Sequence, residues 1–232
     1  MPGLRTERDG DVLRITLDRP EKRNALGEAD WTALRGVVDE LRASGELHVA
    51  VLQATGEVFC AGVDLELIAQ ARERPDGLVG LVERNGAVVQ AFEQLPQIVI
   101  AALNGPAVGI AVHLALAADF VLATRDAYLR LPEARLGMPD VMHVRALEQR
   151  LGRAGAMAFA LLGERLSIAQ ALAAGLVHRE YADSAALAAG VEQLIGELRR
   201  VAPAVRRELK RASIDRSAMS GLEMQIRAVR DL

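Results

Sequence analysis

The sequence predicts an α/β core followed by a helical C-terminal part. Short apolar runs alternate with segments of helical spacing up to about residue 181, and from 183 onward the spacing is helical throughout. Within the alternating part, the apolar run QIVIAAL leads through Asn104-Gly105 into small residues and then a helix-like stretch. That order reads as strand, tight turn and helix N-terminus.

The elements follow in chain order. Residues 4–8 and 12–17 flank Asp9-Gly10-Asp11, and the alternation in VLRITL predicts a hairpin. DRPEKRNAL, 18–26, reads as a loop. Trp31, Leu34, Val37, Val38 and Leu41 share one helical face over 28–43, and Ser44-Gly45 ends it. HVAVLQA, 48–54, is a buried strand, and TGEVFCAGVD, 55–64, is a loop punctuated by glycine. Residues 65–95 are helical with a break at Pro75-Asp76-Gly77. Then come a strand at 97–103, a helix at 109–118, a strand at 119–124, and a short strand running into a loop over 127–137. Helices at 144–162 and 167–174 precede a short strand at 176–181; the remaining helices break near Pro203 and Ser220.

Half of the 232 residues are apolar but only 3% are aromatic, so the core is built from Ala, Val and Leu. The net charge of −3 gives no case for nucleic acid as a partner. Cys60 is the single cysteine, so no internal disulfide forms, and a reducing compartment fits. Neither a signal peptide nor a run of transmembrane length is visible, which leads us to expect a soluble cytoplasmic protein with no membrane partner.

The turn at 104–113 carries the chemistry. A helix N-terminus offers unpaired backbone N–H groups to a ligand. A carboxylate on a later loop, Glu133 in LPEARLG, supplies one possible base. Oxyanion donors and a base are the minimum for enolate chemistry. Read without further context, GPAVGIA is as readily a packing turn, and Glu133 an exposed loop residue paired with Arg130 or Arg135.

Four segments in order, DRPEKRNAL (18–26), VFCAGVDL (58–65), IVIAALNGPAVGIAVHLALAADF (98–120) and LRLPEARLGMP (129–139), resemble the crotonase, or enoyl-CoA hydratase/isomerase, family. LSIAQALAAGLV (166–177) is a weaker fifth match. The resemblance implies a crotonase-like spiral of ββα units over residues 1–200 and a helical oligomerisation segment over 201–232, short by family standards. It also implies homotrimers, often paired into hexamers, and an acyl-CoA thioester as substrate in fatty-acid metabolism. Coenzyme A enters as part of the substrate; no metal and no other cofactor is expected.

Carried over by motif position, the oxyanion hole falls on the backbone N–H groups of Val63 and Ile110. The acid/base positions fall on Glu133 and His113, and CoA contacts on Lys22, Arg23, Ala25, Ala61, Asp64 and Leu65. Three departures matter. Many relatives have three glycines where this chain reads Gly109-Ile110-Ala111. The first of the two hydratase glutamates is His113 here. A glycine pair after the later proline is replaced by Met142-His143, in a segment one residue shorter. A retained single Glu133 resembles the enoyl-CoA isomerases, whereas hydration requires a second group. His113 is one candidate, although a lone histidine on an apolar helix face is more often a core residue. His143 and Asp140 are weaker candidates. Glu66 stands where relatives often have Lys. Cys60 reads as core. An acyl-CoA-binding protein without turnover is the alternative expectation.

Overall fold

The computed structural model describes residues 2–214, and its larger sheet begins with the hairpin that Asp9-Gly10-Asp11 implies. Strands β1 (Leu4–Asp9) and β2 (Val12–Leu17) pair antiparallel, and Gly10 sits in the turn with a φ of +60°. Helix α1 (Glu28–Ala43) follows, then β3 (Val49–Ala54), α2 (Leu65–Arg72), α3 (Gly77–Glu93) and β4 (Ile98–Leu103). The chain continues through β5 (Ala107–Val108), α4 (Ile110–Leu116), β6 (Phe120–Thr124) and β7 (Tyr128–Arg130). It ends with α5 (Val144–Ala160), β8 (Leu166–Ser167), α6 (Ile168–Ala173), β9 (Arg179–Tyr181), α7 (Ser184–Arg199) and α8 (Pro203–Ile214).

Six strands form one sheet in the order β1-β2-β3-β4-β6-β9, parallel from β2 onward. Each crossover moves one strand forward, so the chain winds in a single direction. Strand β4 is buried at all six positions, as expected of a central parallel strand covered on both faces. Its period of two sorts the core. Ile98, Ile100 and Ala102 face α7, where Leu187, Val191, Leu194 and Ile195 pack on them. Val99, Ala101 and Leu103 point the other way, into the larger cluster with α1, α3 and α4.

A second sheet of three short strands, β5-β7-β8, carries the turn before α4 and the segment leading to Glu133. Two of its strands, β5 and β8, are two residues each, too short for periodicity to show. The structure corrects three further readings. The 18–26 loop contains a 3-10 turn at Pro20–Lys22. The strand expected over 176–181 is confined to Arg179–Tyr181. The helix expected over 144–162 is broken at Gly152, whose φ is +69°. The break at Pro203 is present as the start of α8; the one near Ser220, and the end of the 201–232 segment, lie outside the described residues.

Helix α8 is fastened to the sheet by a buried cation. Lys210 Nζ donates to Gln97 O and to Asp119 Oδ2, both at 2.7 Å. Burial lowers the Lys210 pKa, and Asp119 opposes that shift.

Candidate active site

The site grows from two turns that the smaller sheet brings together. Cys60 N donates to Pro106 O and Val108 N to Cys60 O, so the 60–62 backbone runs beside β5. Gly62 permits this approach. Its φ is +97°, and a Cβ there would lie 2.8 Å from Val108 O. Just beyond it, the Val63 amide has no hydrogen-bond partner among the described residues.

Gly109 makes the second turn, with φ +62° and ψ −133°, and its N–H donates to Arg130 O. The chain then enters α4 at Ile110, whose amide also has no partner among the described residues. Ile110 itself follows the turn in helical conformation, so its β-branched side chain bears no positive φ. Val63 and Ile110, each with an unpaired amide among the described residues, therefore line one cleft, with about 160 Å³ of free volume. That exceeds the room one water needs by roughly tenfold, so the cleft suits an organic group. Its walls are mainly apolar: Leu65, Ile68, Leu81, Leu136 and Met142 are among them.

Glu133 opens a 3-10 turn, Glu133–Leu136, after Pro132 and lines the same cleft. It is not the arginine-paired surface residue that its sequence neighbours allow. Arg130 Nε donates to Gly163 O and Arg135 Nε to Leu162 O. Glu133 Oε2 is buried with no partner among the described residues. Burial, and after it the nearby Asp140 charge, push the Glu133 carboxyl up to about 7, with His113 offsetting part of the rise. A carboxyl poised at that value both accepts and releases a proton near neutral pH.

His113, on α4, is only 3% exposed and also lines the cleft. Both of its ring nitrogens are engaged. Nε2 lies 2.5 Å from Asp140 Oδ2, and Nδ1 lies 2.6 Å from His143 Nδ1. The two imidazoles stack with ring centroids 4.7 Å apart. Burial alone would lower the His113 pKa, but the Asp140 charge and hydrogen bond outweigh it, and Glu133 adds to the rise. Burial would raise Asp140, and the His113 imidazolium more than reverses that. The pair is thus held as cation and anion, with Nε2–H donating to the carboxylate.

Sequence reading placed Val63, Ile110, His113 and Glu133 at motif positions, and all four meet on this cleft together with Ala61 and Leu65. Asp140 and His143, the weaker candidates, turn out to be the partners of His113. Lys22, Arg23, Ala25 and Asp64 do not line it. Lys22 and Arg23 are exposed on the 20–25 loop, which is tied to the cleft loop by Ala61 N donating to Arg23 O. Asp64 caps α2 by accepting from Glu66 N. Cys60 is fully buried, and burial drives its thiol up to about 12, so it is inert core. Among the described residues no cluster of side chains suits a metal, and no helix is long and apolar enough to cross a membrane. Sequence reading missed Asn85, a cleft-lining amide on α3; its signal was a polar residue on an apolar helical face.

Comparison with known proteins gives a consistent result. The family profile described as enoyl-CoA hydratase/isomerase matches residues 7–232. YngF of Bacillus subtilis is 39% identical over 137 residues, 58% of this chain and 52% of that protein. A carnitinyl-CoA dehydratase of Salmonella paratyphi B is 41% identical over 145 residues, 59% of this chain and 52% of its own. The matched stretch thus spans about half the length of these curated relatives. Among solved structures, Pseudomonas aeruginosa AtuE superposes with a TM-score of 0.86 at 31% identity, covering 99% of this chain and 89% of that one. An enoyl-CoA hydratase/isomerase from Mycobacterium paratuberculosis reaches a TM-score of 0.89 at 22% identity, over 98% and 92%. Its likeness establishes the fold.

Proposed function

This chain belongs to the enoyl-CoA hydratase/isomerase family, and on that premise we propose that it moves a proton along an acyl-CoA thioester through an enolate. The thioester oxygen sits between the Val63 and Ile110 N–H groups. From a 3-enoyl thioester Glu133 takes a proton from C2; the C–H electron pair forms the C1=C2 enolate double bond, conjugated with C3=C4, as charge moves onto oxygen. The same carboxyl then returns the proton at C4, where the C3=C4 electron pair takes it up; the enolate pair moves to C2=C3, the thioester carbonyl reforms, and the product is the 2-enoyl thioester. Preorganised donors of this kind are worth about 3–4 kcal/mol each. Only protons move, so the reaction calls for no metal and no cofactor beyond the substrate's own coenzyme A.

The observation that carries this reading is Glu133 itself: a carboxyl at about 7, with an unpartnered oxygen, in the cleft that the two free amides border. Isomerisation is favoured over hydration because His113 has no free ring nitrogen for substrate. His113 then serves as a fixed charge beside Glu133 rather than as the second acid. Lys22, Arg23, Ala25 and Asp64, with the cleft-lining Ala61 and Leu65, would hold the CoA portion at the cleft mouth. Assembly as a homotrimer or hexamer, a cytoplasmic location and a place in fatty-acid metabolism belong to the same proposal.

The second reading is an acyl-CoA-binding protein without turnover, favoured by the Gly109-Ile110-Ala111 turn and by the engaged His113. Matched 2-enoyl-CoA and 3-enoyl-CoA substrates, followed by chromatography and mass spectrometry, decide between them. Interconversion without mass change, lost in Glu133→Gln, supports the isomerase. A gain of one water means hydration and brings Asp140 or His113 into proton transfer. Tight binding with both substrates returned unchanged supports the binding protein.

A further inference from the structure

One face of α3 forms a wall of the cleft. Leu78, Leu81, Val82 and Asn85 stand at i, i+3, i+4 and i+7, which places them on one side of the helix, and all four line the cavity. Three are apolar, as a pocket for an alkyl chain requires. The fourth is an amide. Asn85 is 3% exposed, and its Nδ2 is buried with no hydrogen-bond partner among the described residues. The other polar side chains of the cleft are accounted for: His113 and Asp140 bind each other, and Glu133 is the base.

A buried amide without a partner is costly, and native proteins rarely retain one idly. A leucine at residue 85 would complete the apolar face of α3 at lower cost. An amide there discriminates, because a site built to hydrogen-bond a substrate group rejects the analogue lacking it.

We propose that Asn85 is a specificity residue, and that the acyl chain this cleft accepts carries a neutral hydroxyl or oxo group beyond the reacting carbons, which hydrogen-bonds to the Asn85 amide. An amide both donates and accepts, so either group satisfies it. A carboxylate is disfavoured, because Glu133 and Asp140 line the same space and His113, the cationic side chain there, is already paired. This inference rests on the acyl-CoA reading and names the substrate class within it.

Binding separates the two without need of turnover. Titration calorimetry compares a saturated acyl-CoA with hydroxy and oxo counterparts of the same length, substituted at each carbon from the fifth outward. The wild-type chain should bind at least one substituted probe at least tenfold more tightly than the plain one, which is about 1.4 kcal/mol. In Asn85→Leu that preference should vanish and the plain probe should gain. Asn85→Ala serves as a second variant and should lose the preference too. Equal affinity of the wild-type chain for all probes overturns the inference while leaving the acyl-CoA reading intact, as does a preference unchanged in both variants. Binding of no probe overturns both.

Discussion

Gly109 leaves room for Glu133: a Cβ on residue 109 would overlap Glu133 Oε1. The same glycine holds a φ of +62° and starts the helix whose first amide borders the cleft. One residue thus makes the oxyanion turn and admits the base. Gly109→Ala should cost about 1–3 kcal/mol in denaturant unfolding from the strained backbone. It should also lower turnover at least tenfold, a loss beyond what reduced stability explains at a temperature where the variant is folded.

Glu133 makes stability and activity respond to pH in opposite directions. Its carboxyl stands at about 7 in the folded chain against an ordinary 4.5. The folded state therefore binds the proton more tightly, and stability falls as pH rises between those values. At 1.36 kcal/mol per unit the loss is of the order of 3 kcal/mol. Glu133→Gln should unfold at higher denaturant than wild type above pH 7, and the gap should close below the ordinary value. Turnover needs the ionised base, so kcat/KM should drop about tenfold per pH unit below 7.

The His113–Asp140 pair has its own window. The His113 pKa is raised, so its contribution is full below its ordinary 6.5 and is lost as pH climbs through the folded value. Asp140 is depressed, so its contribution is full above its ordinary 3.8 and is lost as pH falls through the folded value. Stability curves of wild type and Asp140→Asn should differ most between these two ordinary values. Removing one partner of a buried pair costs about 3–5 kcal/mol.

The oxyanion donor at residue 110 can be deleted without removing a helix bond. Ile110 is the first residue of α4, a position where proline is tolerated, and the preceding glycine accepts a proline after it. Ile110→Pro should keep its far-UV circular dichroism and lose about a hundredfold to a thousandfold in kcat.

Much of this site was legible because its parts stand at motif positions that the family resemblance supplies. Val63, Ile110, His113 and Glu133 could be numbered before any contact was known. The partners of His113 could not. Asp140 and His143 reach it through the reversal of chain after Glu133, and no periodicity marks that path. Strands β5 and β8 escaped for a related reason: two residues carry no alternation. Asn85 was visible as a polar interruption at the i+7 position of an apolar face, but the sequence does not say that the face lines a cavity.

The central claim is that this cleft generates a thioester enolate with Glu133 as base. Its most direct test is deuterium wash-in at the α-carbon of a saturated acyl-CoA in heavy water, followed by mass spectrometry. The wild-type chain should exchange the α-proton, and Glu133→Gln should exchange it at least a hundredfold more slowly while still binding the thioester. No exchange by the wild-type chain with bound thioester, or equal exchange by both proteins, would contradict it.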